Sequence, residues 1–354
     1  MRIAISTGGG DAPGLNAVIR AAVLSAVHRG WECVGIRRGF GSLLGEEEPV
    51  PLGPNEVRGI TNRGGTILGT SNRGNPLKWR VQRPDGSWEE RDRTQELLDS
   101  FRAHRLDALI AIGGEGTLGI VHTLWQKGLP VVGVPKTIDN DVGGTVATFG
   151  FDTAVATATD AIDKLHSTAE SHERVLVVEV MGRYAGFIAL DAGLAGTADV
   201  ILIPEIPFDI DKVCDKIRRR DAEGRHFSIV VVAEGAVPKG GTVSLIDPGH
   251  ERLGGIADKV AHSIEQMTGK ETRSLVLGHL QRGGGPTTFD RLLALRFGAA
   301  AVRLVAERQF GMMVALQPPR IVAVPLAEAI ATRRVPLDSD TITTARDLGI
   351  SFGD

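Results

Sequence analysis

Short apolar runs alternate with longer amphipathic segments along most of the chain. The apolar, β-branched runs predict strands at 2–7, 31–37, 108–113, 131–135, 174–180, 200–204, 227–233, 274–277 and 321–324. Apolar residues at helical spacing predict helices at 15–28, 94–102, 117–126, 153–166, 211–220, 255–268 and 291–308. Because such alternation builds parallel βαβ units, we expect an α/β fold with two three-layer αβα Rossmann-like domains, mainly parallel sheets and an active-site cleft between them.

The segment 77–93 departs from this pattern because it is dense in charged residues. It carries a Pro-Asp-Gly turn at 84–86 between two short runs that each contain a tryptophan, which is typical of an exposed β-hairpin. We expect Trp79 and Trp88 to pair across this hairpin, and its charges to serve solvation.

Chain length and composition narrow the class of protein. The 354 residues exceed what one compact core usually supports, and 42% hydrophobic with 23% charged residues is typical of a globular chain. A net charge of −3 argues against binding to nucleic acid or an anionic membrane. No signal-peptide pattern opens the chain, and no apolar run reaches the roughly 18 residues of a membrane span. The two cysteines, Cys33 and Cys214, indicate buried thiols, so we expect a cytoplasmic protein.

Two carboxylates follow directly after a strand with the features of a buried parallel strand. The strand at 129–135 is followed by Lys136, Thr137, Asp139 and Asp141. In open α/β sheets, ligands bind beyond the carboxyl ends of strands, so these acids are candidates for chemistry. The alternative is that each only caps the following turn through its side-chain oxygens.

Glycine-rich turns after two strands indicate anion binding. The turn at 7–14 opens a helix, and backbone amides at a helix N-terminus bind anions readily, although a purely structural turn remains an alternative. The turn at 113–119 matches Gly-x-Gly-x-x-Gly at Gly114, Gly116 and Gly119, and alone it would favour an NAD-dependent oxidoreductase with Asp139 on the ribose. Glu115 argues against that reading, because its carboxylate would repel pyrophosphate unless a divalent cation lay between them.

Five longer stretches carry a resemblance to a known family. They are Gly-Gly-Asp-Ala-Pro-Gly-Leu-Asn at 9–16, Gly-Gly-Glu-Gly-Thr at 113–117, Pro-Lys-Thr-Ile-Asp-Asn-Asp at 135–141, Val-Glu-Val-Met-Gly-Arg at 178–183 and Leu-Gly-His-Leu-Gln-Arg-Gly-Gly at 277–284. In this order they resemble the 6-phosphofructokinase family over nearly the whole chain. The resemblance implies that the chain transfers a phosphoryl group from ATP, or from pyrophosphate, to the 1-hydroxyl of fructose 6-phosphate, a reaction of glycolysis.

The resemblance also implies roles for the residues around the donor. Asp139 would act as the base that takes the proton from the sugar hydroxyl, with Thr137 in the same site. Glu115 stands where the family has an Asp that serves Mg²⁺. Gly10 and Arg73 would cradle the transferring phosphoryl group. Phe40 stands where the family has an aromatic residue against the nucleotide base, and it is equally compatible with a core position. The full set of donor-side residues is Gly10, Phe40, Arg73, Gly114, Glu115, Gly116, Thr117, Gly119 and Lys136.

For the sugar phosphate, the resemblance implies a second set of residues. They are Thr137, Asp139, Asp141, Met181, Gly182, Arg183, Glu234, His279 and Arg282, joined by Arg174 and Arg273, which would reach the 6-phosphate bound to a neighbouring subunit. Sites shared between chains imply a homodimer or a homotetramer. The donor domain is expected at 1–150 with about 286–318, and the fructose 6-phosphate domain at 151–285 with about 319–354.

Two positions bear on the choice of donor. In the family, glycine at the position of Gly116 leaves room for the α-phosphate of ATP, whereas Asp there favours pyrophosphate. Lys136 favours pyrophosphate, although lysine also occurs there in some ATP users. We give more weight to Gly116 because a steric block is harder to evade, so ATP is the expected donor and pyrophosphate the alternative. A sugar-phosphate sensor without catalysis is a further alternative, which the presence of Asp139, Glu115, Arg73 and Lys136 makes improbable.

Overall fold

The structure is a computed structural model that describes residues 1–71, 74–247 and 252–354. In this part of the chain the strands are β1 Arg2–Thr7, β2 Glu32–Ile36, β3 Val50–Leu52, β4 Trp79–Gln82, β5 Trp88–Arg91, β6 Ala108–Gly113, β7 Val131–Thr137, β8 Phe149–Gly150, β9 Val175–Val180, β10 Val200–Leu202, β11 Ser228–Ala233, β12 Leu245–Asp247, β13 Arg252–Leu253, β14 Thr272–Val276, β15 Met312–Gln317 and β16 Arg320–Pro325. The helices are α1 Leu15–Val27, α2 Thr94–Ala103, α3 Glu115–Gln126, α4 Phe151–His172, α5 Phe187–Ala195, α6 Ile210–Ala222, α7 Ile256–Thr268, α8 Thr288–Ala306, α9 Leu326–Ala329 and α10 Asp340–Asp347.

The chain divides into two compact units. The first contains Met1–Thr137, Asp141–Gly150 and Arg282–Thr332, and the second contains Ile138–Asn140, Phe151–Gln281 and Arg333–Asp354. The chain therefore passes between the units within the stretch 137–141. The hairpin of β15 and β16 belongs wholly to the first unit, whereas the predicted boundary at 318 would divide it.

The first unit is built on one large sheet. Its strands run in the order β16-β15-β7-β6-β1-β2-β3, with β8 also paired to β7; the inner pairs are parallel, and β3 and β16 are antiparallel. Successive side chains of a strand point to opposite faces. Ile3 and Ile5 accordingly pack with α1 and α8, whereas Ala4 between them packs with α2 and α3. Helices therefore cover both faces, as the predicted αβα layers require.

The second unit has a smaller, all-parallel sheet in the order β10-β11-β9-β14. Val230 and Val232 of β11 belong to an apolar cluster with α6 and α7. Val231 between them faces α5, where a side chain on Gly193 would meet its Cβ at 3.5 Å. Both sheets are thus sandwiched between helices, and the predicted fold class is confirmed.

Several elements differ from the expectations. Strand β15 was not predicted, although it joins β7 to β16 in the large sheet. The predicted hairpin at 77–93 exists, but its tryptophans do not pair: Trp79 lies opposite Arg91, and Trp88 lies opposite Gln82. Among the described helices, none combines the length and the apolar character needed to cross a lipid bilayer.

Candidate functional site

The turn between β1 and α1 has a backbone that only glycine accommodates well. Gly14 has a φ of 107°, and a Cβ built on it would lie 2.8 Å from the ring of Phe149. Asn16, in the first turn of α1, is buried; its side chain donates to the carbonyls of Arg63 and Gly64 and accepts from the backbone N–H of Ile67. The sequence analysis did not single out Asn16, whose signal is an amide in an otherwise apolar stretch.

Two glycine turns of the first unit meet at the side chain of Thr117. A Cβ on Gly8 would lie 2.7 Å from Oγ1 of Thr117, and a Cβ on Gly113 would lie 2.3 Å from its Cβ. The parallel pairing of β1 with β6 brings these turns together, since both turns leave the carboxyl ends of adjacent strands. The two predicted anion sites, at 7–14 and 113–119, therefore lie side by side in the structure.

Two cationic side chains hold the carbonyls of the first glycine turn. Lys136, which is 3% exposed, donates from Nζ to the carbonyl oxygen of Gly10. Arg282 donates from Nη1 to the carbonyl oxygen of Asp11 at 3.1 Å. A Cβ on Gly10 would lie 3.0 Å from the same Nη1 atom, so glycine at this position allows the guanidinium to lie against the turn. Arg282, predicted to bind the sugar phosphate, is thus placed at the turn predicted to hold the donor.

The N-terminus of α3 presents the remaining donor-side positions. Gly114 precedes the helix and Glu115 is its first residue, where a carboxylate is stabilised by the helix dipole. Gly116 is exposed, and a Cβ built on it meets no atom within 4 Å. A Cβ built on Gly119 likewise meets no atom within 4 Å. The space beside Gly116 is therefore open to a ligand.

The groups around Glu115 are compatible with a Mg²⁺ ion that binds together with the phosphates of the phosphoryl donor. In the described ranges, no group of three or more His, Cys, Asp or Glu side chains has the geometry of a metal site. Mg²⁺ is usually held by one or two carboxylates together with substrate phosphates and water, so a single glutamate beside anion-binding amides fits this mode.

In the second unit, the turn after β9 and the end of β11 share a carboxyl group. Glu234 accepts through Oε1 from the backbone N–H of Arg183 at 2.9 Å. Burial raises the pKa of Glu234 from the ordinary 4.5 to about 7, and the charges of Asp139 and Glu179 act in the same direction. The structure therefore joins the backbone of Arg183 to the carboxyl of Glu234 and places Asp139 near enough for its charge to act on that carboxyl.

The turn at 181–183 is fixed by backbone geometry and by two neighbours that the sequence analysis missed. Gly182 has a φ of 137°, and a Cβ on it would lie 2.6 Å from the carbonyl oxygen of Ala185. Gln281 is fully buried and accepts from the backbone N–H of Met181 at 3.3 Å. Glu179 accepts from the amides of Gly255 and Ala257 at the start of α7, which joins this helix to the strand that carries the turn.

The candidate base and its neighbours lie where the chain crosses between the units. Asp139 is 4% exposed. Asn140 after it has a φ of 54°, a left-handed conformation that asparagine tolerates better than most residues. Thr137 is buried at the end of β7, where its carbonyl accepts from Oγ1 of Thr148, and Asp141 begins the next stretch of the first unit.

Two arginines predicted to act on a neighbouring subunit are joined by one glutamate. Arg174 pairs with Glu271 at 2.8 Å, and Arg273 pairs with the same carboxylate at 2.5 Å. The Arg174 guanidinium, aided by Arg273, lowers the pKa of Glu271. His279 is exposed in the 3₁₀ turn Gly278–Arg282.

Two donor-side predictions stand apart from the rest. Arg73 lies outside the described residues. Phe40 is 2% exposed and packs in the apolar cluster that includes Leu43 and Phe101, which supports its alternative as a core residue.

Comparison with known proteins relates the whole chain to one group. The family model for Phosphofructokinase matches residues 2–305. The chain is 55% identical over 354 residues to an ATP-dependent 6-phosphofructokinase of Chloroflexus aggregans, covering all of this chain and 98% of that protein. It is 53% identical over 346 residues to a pyrophosphate–fructose 6-phosphate 1-phosphotransferase of Amycolatopsis mediterranei, covering 96% of this chain and 97% of that protein.

A solved structure supports the same relationship. Pichia pastoris phosphofructokinase in the T-state superimposes with a TM-score of 0.81 at 30% identity, covering 98% of this chain; the chain spans 36% of the length of that larger protein. The fold is that of an α/β protein with glycine-rich turns at the carboxyl ends of its strands, where proteins of this architecture bind ligands. The chain belongs to the phosphofructokinase family.

Proposed function

We propose that this chain is an ATP-dependent 6-phosphofructokinase, which transfers the terminal phosphoryl group of ATP to the 1-hydroxyl of fructose 6-phosphate and forms fructose 1,6-bisphosphate. The observation that carries the proposal is the surface formed by two glycine turns on Thr117, with Lys136 and Arg282 at the first turn and Glu115 at the second. Backbone amides, a helix N-terminus and one carboxylate together suit a polyphosphate with its metal ion.

On the donor side, the proposal assigns the phosphates to the glycine turns. Gly10, Gly114, Thr117 and Gly119 supply backbone and hydroxyl groups, and Glu115 would hold Mg²⁺, which neutralises phosphate charge when it is bound. Arg73 would stabilise the charge that develops on the transferring group. Arg282, because it lies against Gly10, is available to the same group as well as to the sugar phosphate.

The open space at Gly116 favours ATP over pyrophosphate. A nucleotide needs room for an α-phosphate beyond the two phosphates that both donors share, and a Cβ on Gly116 would meet no atom within 4 Å. Lys136 donates to the carbonyl of Gly10, so this lysine has a use in the loop itself that does not depend on the donor. Pyrophosphate stays the second candidate because relatives of similar identity carry that name.

On the acceptor side, Asp139 removes the proton from the 1-hydroxyl as its oxygen attacks phosphorus, and Thr137 and Asp141 flank it in sequence. Met181, Gly182, Arg183, Glu234 and His279 bind the sugar phosphate. Arg174 and Arg273 extend to the 6-phosphate in a neighbouring subunit of a homodimer or homotetramer, and the cytoplasm is the expected location.

A donor comparison tests the proposal. Purified protein is incubated with fructose 6-phosphate, Mg²⁺ and either ATP or pyrophosphate, and fructose 1,6-bisphosphate is measured directly. We expect product with ATP and a lower kcat/KM with pyrophosphate. Product with pyrophosphate but not with ATP would reverse the choice of donor. Binding of fructose 6-phosphate without product from either donor would favour the alternative of a sugar-phosphate sensor. A change in nicotinamide absorbance without any phosphoryl donor would support an oxidoreductase instead.

A further inference from the structure

A cavity of the second unit lies apart from every residue assigned above to donor or acceptor. Its volume is 470 Å³, and helix α6 and the segment 346–354 line it. Cavities of about 300–1,000 Å³ are the usual size of small-molecule sites. The cavity is therefore large enough for a metabolite, and the nature of its walls indicates which kind.

The walls carry an excess of positive charge. The ionisable side chains in the lining are four cations and two carboxylates: Lys212, Lys216, Arg219, Arg346, Asp215 and Asp354. The first three cations stand at positions i, i+4 and i+7 of α6 and so share one face of that helix. The side chains of the lining therefore have a net charge of +2, in a chain whose net charge is −3.

The contacts of these groups leave three of the four cations without an ion pair. Asp215 pairs with Arg218, which is outside the lining, at 2.9 Å. Asp354 pairs with Arg346. For Lys212, Lys216 and Arg219, the described residues provide no ion pair.

Two of the cations, Lys216 and Arg346, are held in place by neighbouring groups of the cavity. Nζ of Lys216 donates to the carbonyl of Gly349 at 2.8 Å, and burial lowers the pKa of this lysine, which a bound anion would oppose. The ring of Phe352 is fully buried, and the guanidinium of Arg346 lies over it at 5.3 Å from the ring centroid. Phe352 therefore supports Arg346 from below, and the cationic side chains around the cavity suit a ligand with an anionic end.

We propose that this cavity binds a small phosphate monoester, with Lys212 and Arg219 on the phosphate. A phosphate monoester carries about −1.5 to −2 charges at pH 7, which matches the excess of the lining. Arginine also suits the geometry of phosphate oxygens better than a point charge does. A long polyanion such as nucleic acid fits less well, because the positive charge is confined to one cavity of an acidic chain.

Hydrogen exchange measured by mass spectrometry locates the binding. The full-length protein is titrated with ribose 5-phosphate at constant ionic strength, and peptides covering 210–222 and 346–354 are followed. We expect slower exchange in both peptides. Free ribose at the same concentration should leave them unchanged. Unchanged exchange with ribose 5-phosphate, or equal slowing by ribose, would overturn the proposal.

A matched pair of variants assigns the effect to the cavity. Lys212→Ala combined with Arg219→Ala removes the two cations assigned to the phosphate, whereas Arg218→Ala removes a neighbouring charge that points to Asp215 and to the carbonyl of Met267. We expect the concentration for half-maximal slowing to rise at least tenfold in the double variant and to stay within twofold in Arg218→Ala. An equal loss of protection in both variants would show that binding depends only on the overall positive charge of α6, and it would overturn the proposal.

The class of ligand has its own control. Succinate carries two carboxylates and no phosphate, so equal protection by succinate would contradict a phosphate monoester site. The rate of phosphoryl transfer without ribose 5-phosphate should be retained in both variants, since none of the altered residues belongs to the proposed reaction. Retained turnover with lost protection would support a separate site.

Discussion

The backbone N–H of Arg183 donates to Oε1 of Glu234 at 2.9 Å, which ties the turn after β9 to the end of β11. The accepting carboxyl is half-buried, and the charges of Asp139 and Glu179 act on it as well. Arg183 adopts a φ of 51°, so its backbone is held in an uncommon conformation while it makes this bond. The shape of the proposed sugar-phosphate turn therefore depends on a group that titrates near neutral pH.

The first prediction concerns stability and pH. Folding raises the pKa of Glu234 from the ordinary 4.5 to about 7, so between these values the folded state retains a proton that the unfolded chain has lost. Stability should fall as pH rises through this window, by at most about 3 kcal/mol. Glu234→Gln keeps an acceptor for Arg183 and cannot ionise. We expect its Tm, relative to the unmodified protein, to increase between pH 5 and pH 8.

The control for this experiment is Glu90→Gln, which removes an exposed carboxylate on β5. Its Tm difference from the unmodified protein should be nearly the same at both pH values. If Glu234→Gln gives a constant difference across the same range, the carboxyl is not the titrating group.

The second prediction concerns the proposed base. Asp139→Asn preserves the size of the side chain and removes its ability to accept a proton, so kcat should fall by about 10²–10⁴-fold at saturating substrates. The KM for ATP should change little. Asp160→Asn, on the exposed face of α4, is the matched control and should leave kcat unaltered. Nearly full turnover in a folded Asp139→Asn protein would remove Asp139 from the mechanism.

The local signals in the sequence sufficed for most strands of the two sheets, although not for β15, and for the glycine turns. Glycine marks places where the backbone must bend or be approached closely, which is why the turns at 7–14 and 113–119 were recognisable. That both turns meet on Thr117 was not predictable, because this contact depends on the pairing of β1 with β6. The position of Arg282 against Gly10 is likewise a long-range contact, made by residues far apart in the chain.

The hairpin shows why register is harder to predict than the element itself. Asp85 accepts from the backbone and hydroxyl of Ser87, and the N–H of Arg83 donates to the carbonyl of Ser87 at 2.8 Å, which closes the turn. This closure places Gln82 opposite Trp88, so the tryptophans miss one another. Instead, Arg93 lies over Trp79 and Arg80 lies over Trp88. Charged residues expected to serve only solvation thus cover the aromatic rings.

The third prediction concerns donor choice. Gly116→Asp adds a negative charge where the α-phosphate of ATP is proposed to lie, so kcat/KM with ATP should fall by more than tenfold, which is about 1.4 kcal/mol. Gly116→Ala adds a methyl group that meets no atom within 4 Å, and it should have a much smaller effect. The two variants are compared with ATP and with pyrophosphate. Unchanged kinetics with ATP in Gly116→Asp would contradict the assignment of this position.

The last prediction separates two roles for Lys136. If its ammonium mainly holds the carbonyl of Gly10, then Lys136→Met distorts the first glycine turn and weakens the use of either donor. A hydrogen bond from a charged group contributes about 1.5–3 kcal/mol, so kcat/KM with ATP should fall by roughly 10–100-fold.

Lys127→Met is the matched control, because that lysine is exposed and pairs with Asp92 away from the glycine turns. Its kcat/KM with ATP should stay within about twofold of the unmodified protein. A Lys136→Met protein that loses activity with pyrophosphate but keeps its full kcat/KM with ATP would show that the lysine acts on the donor and does not support the turn.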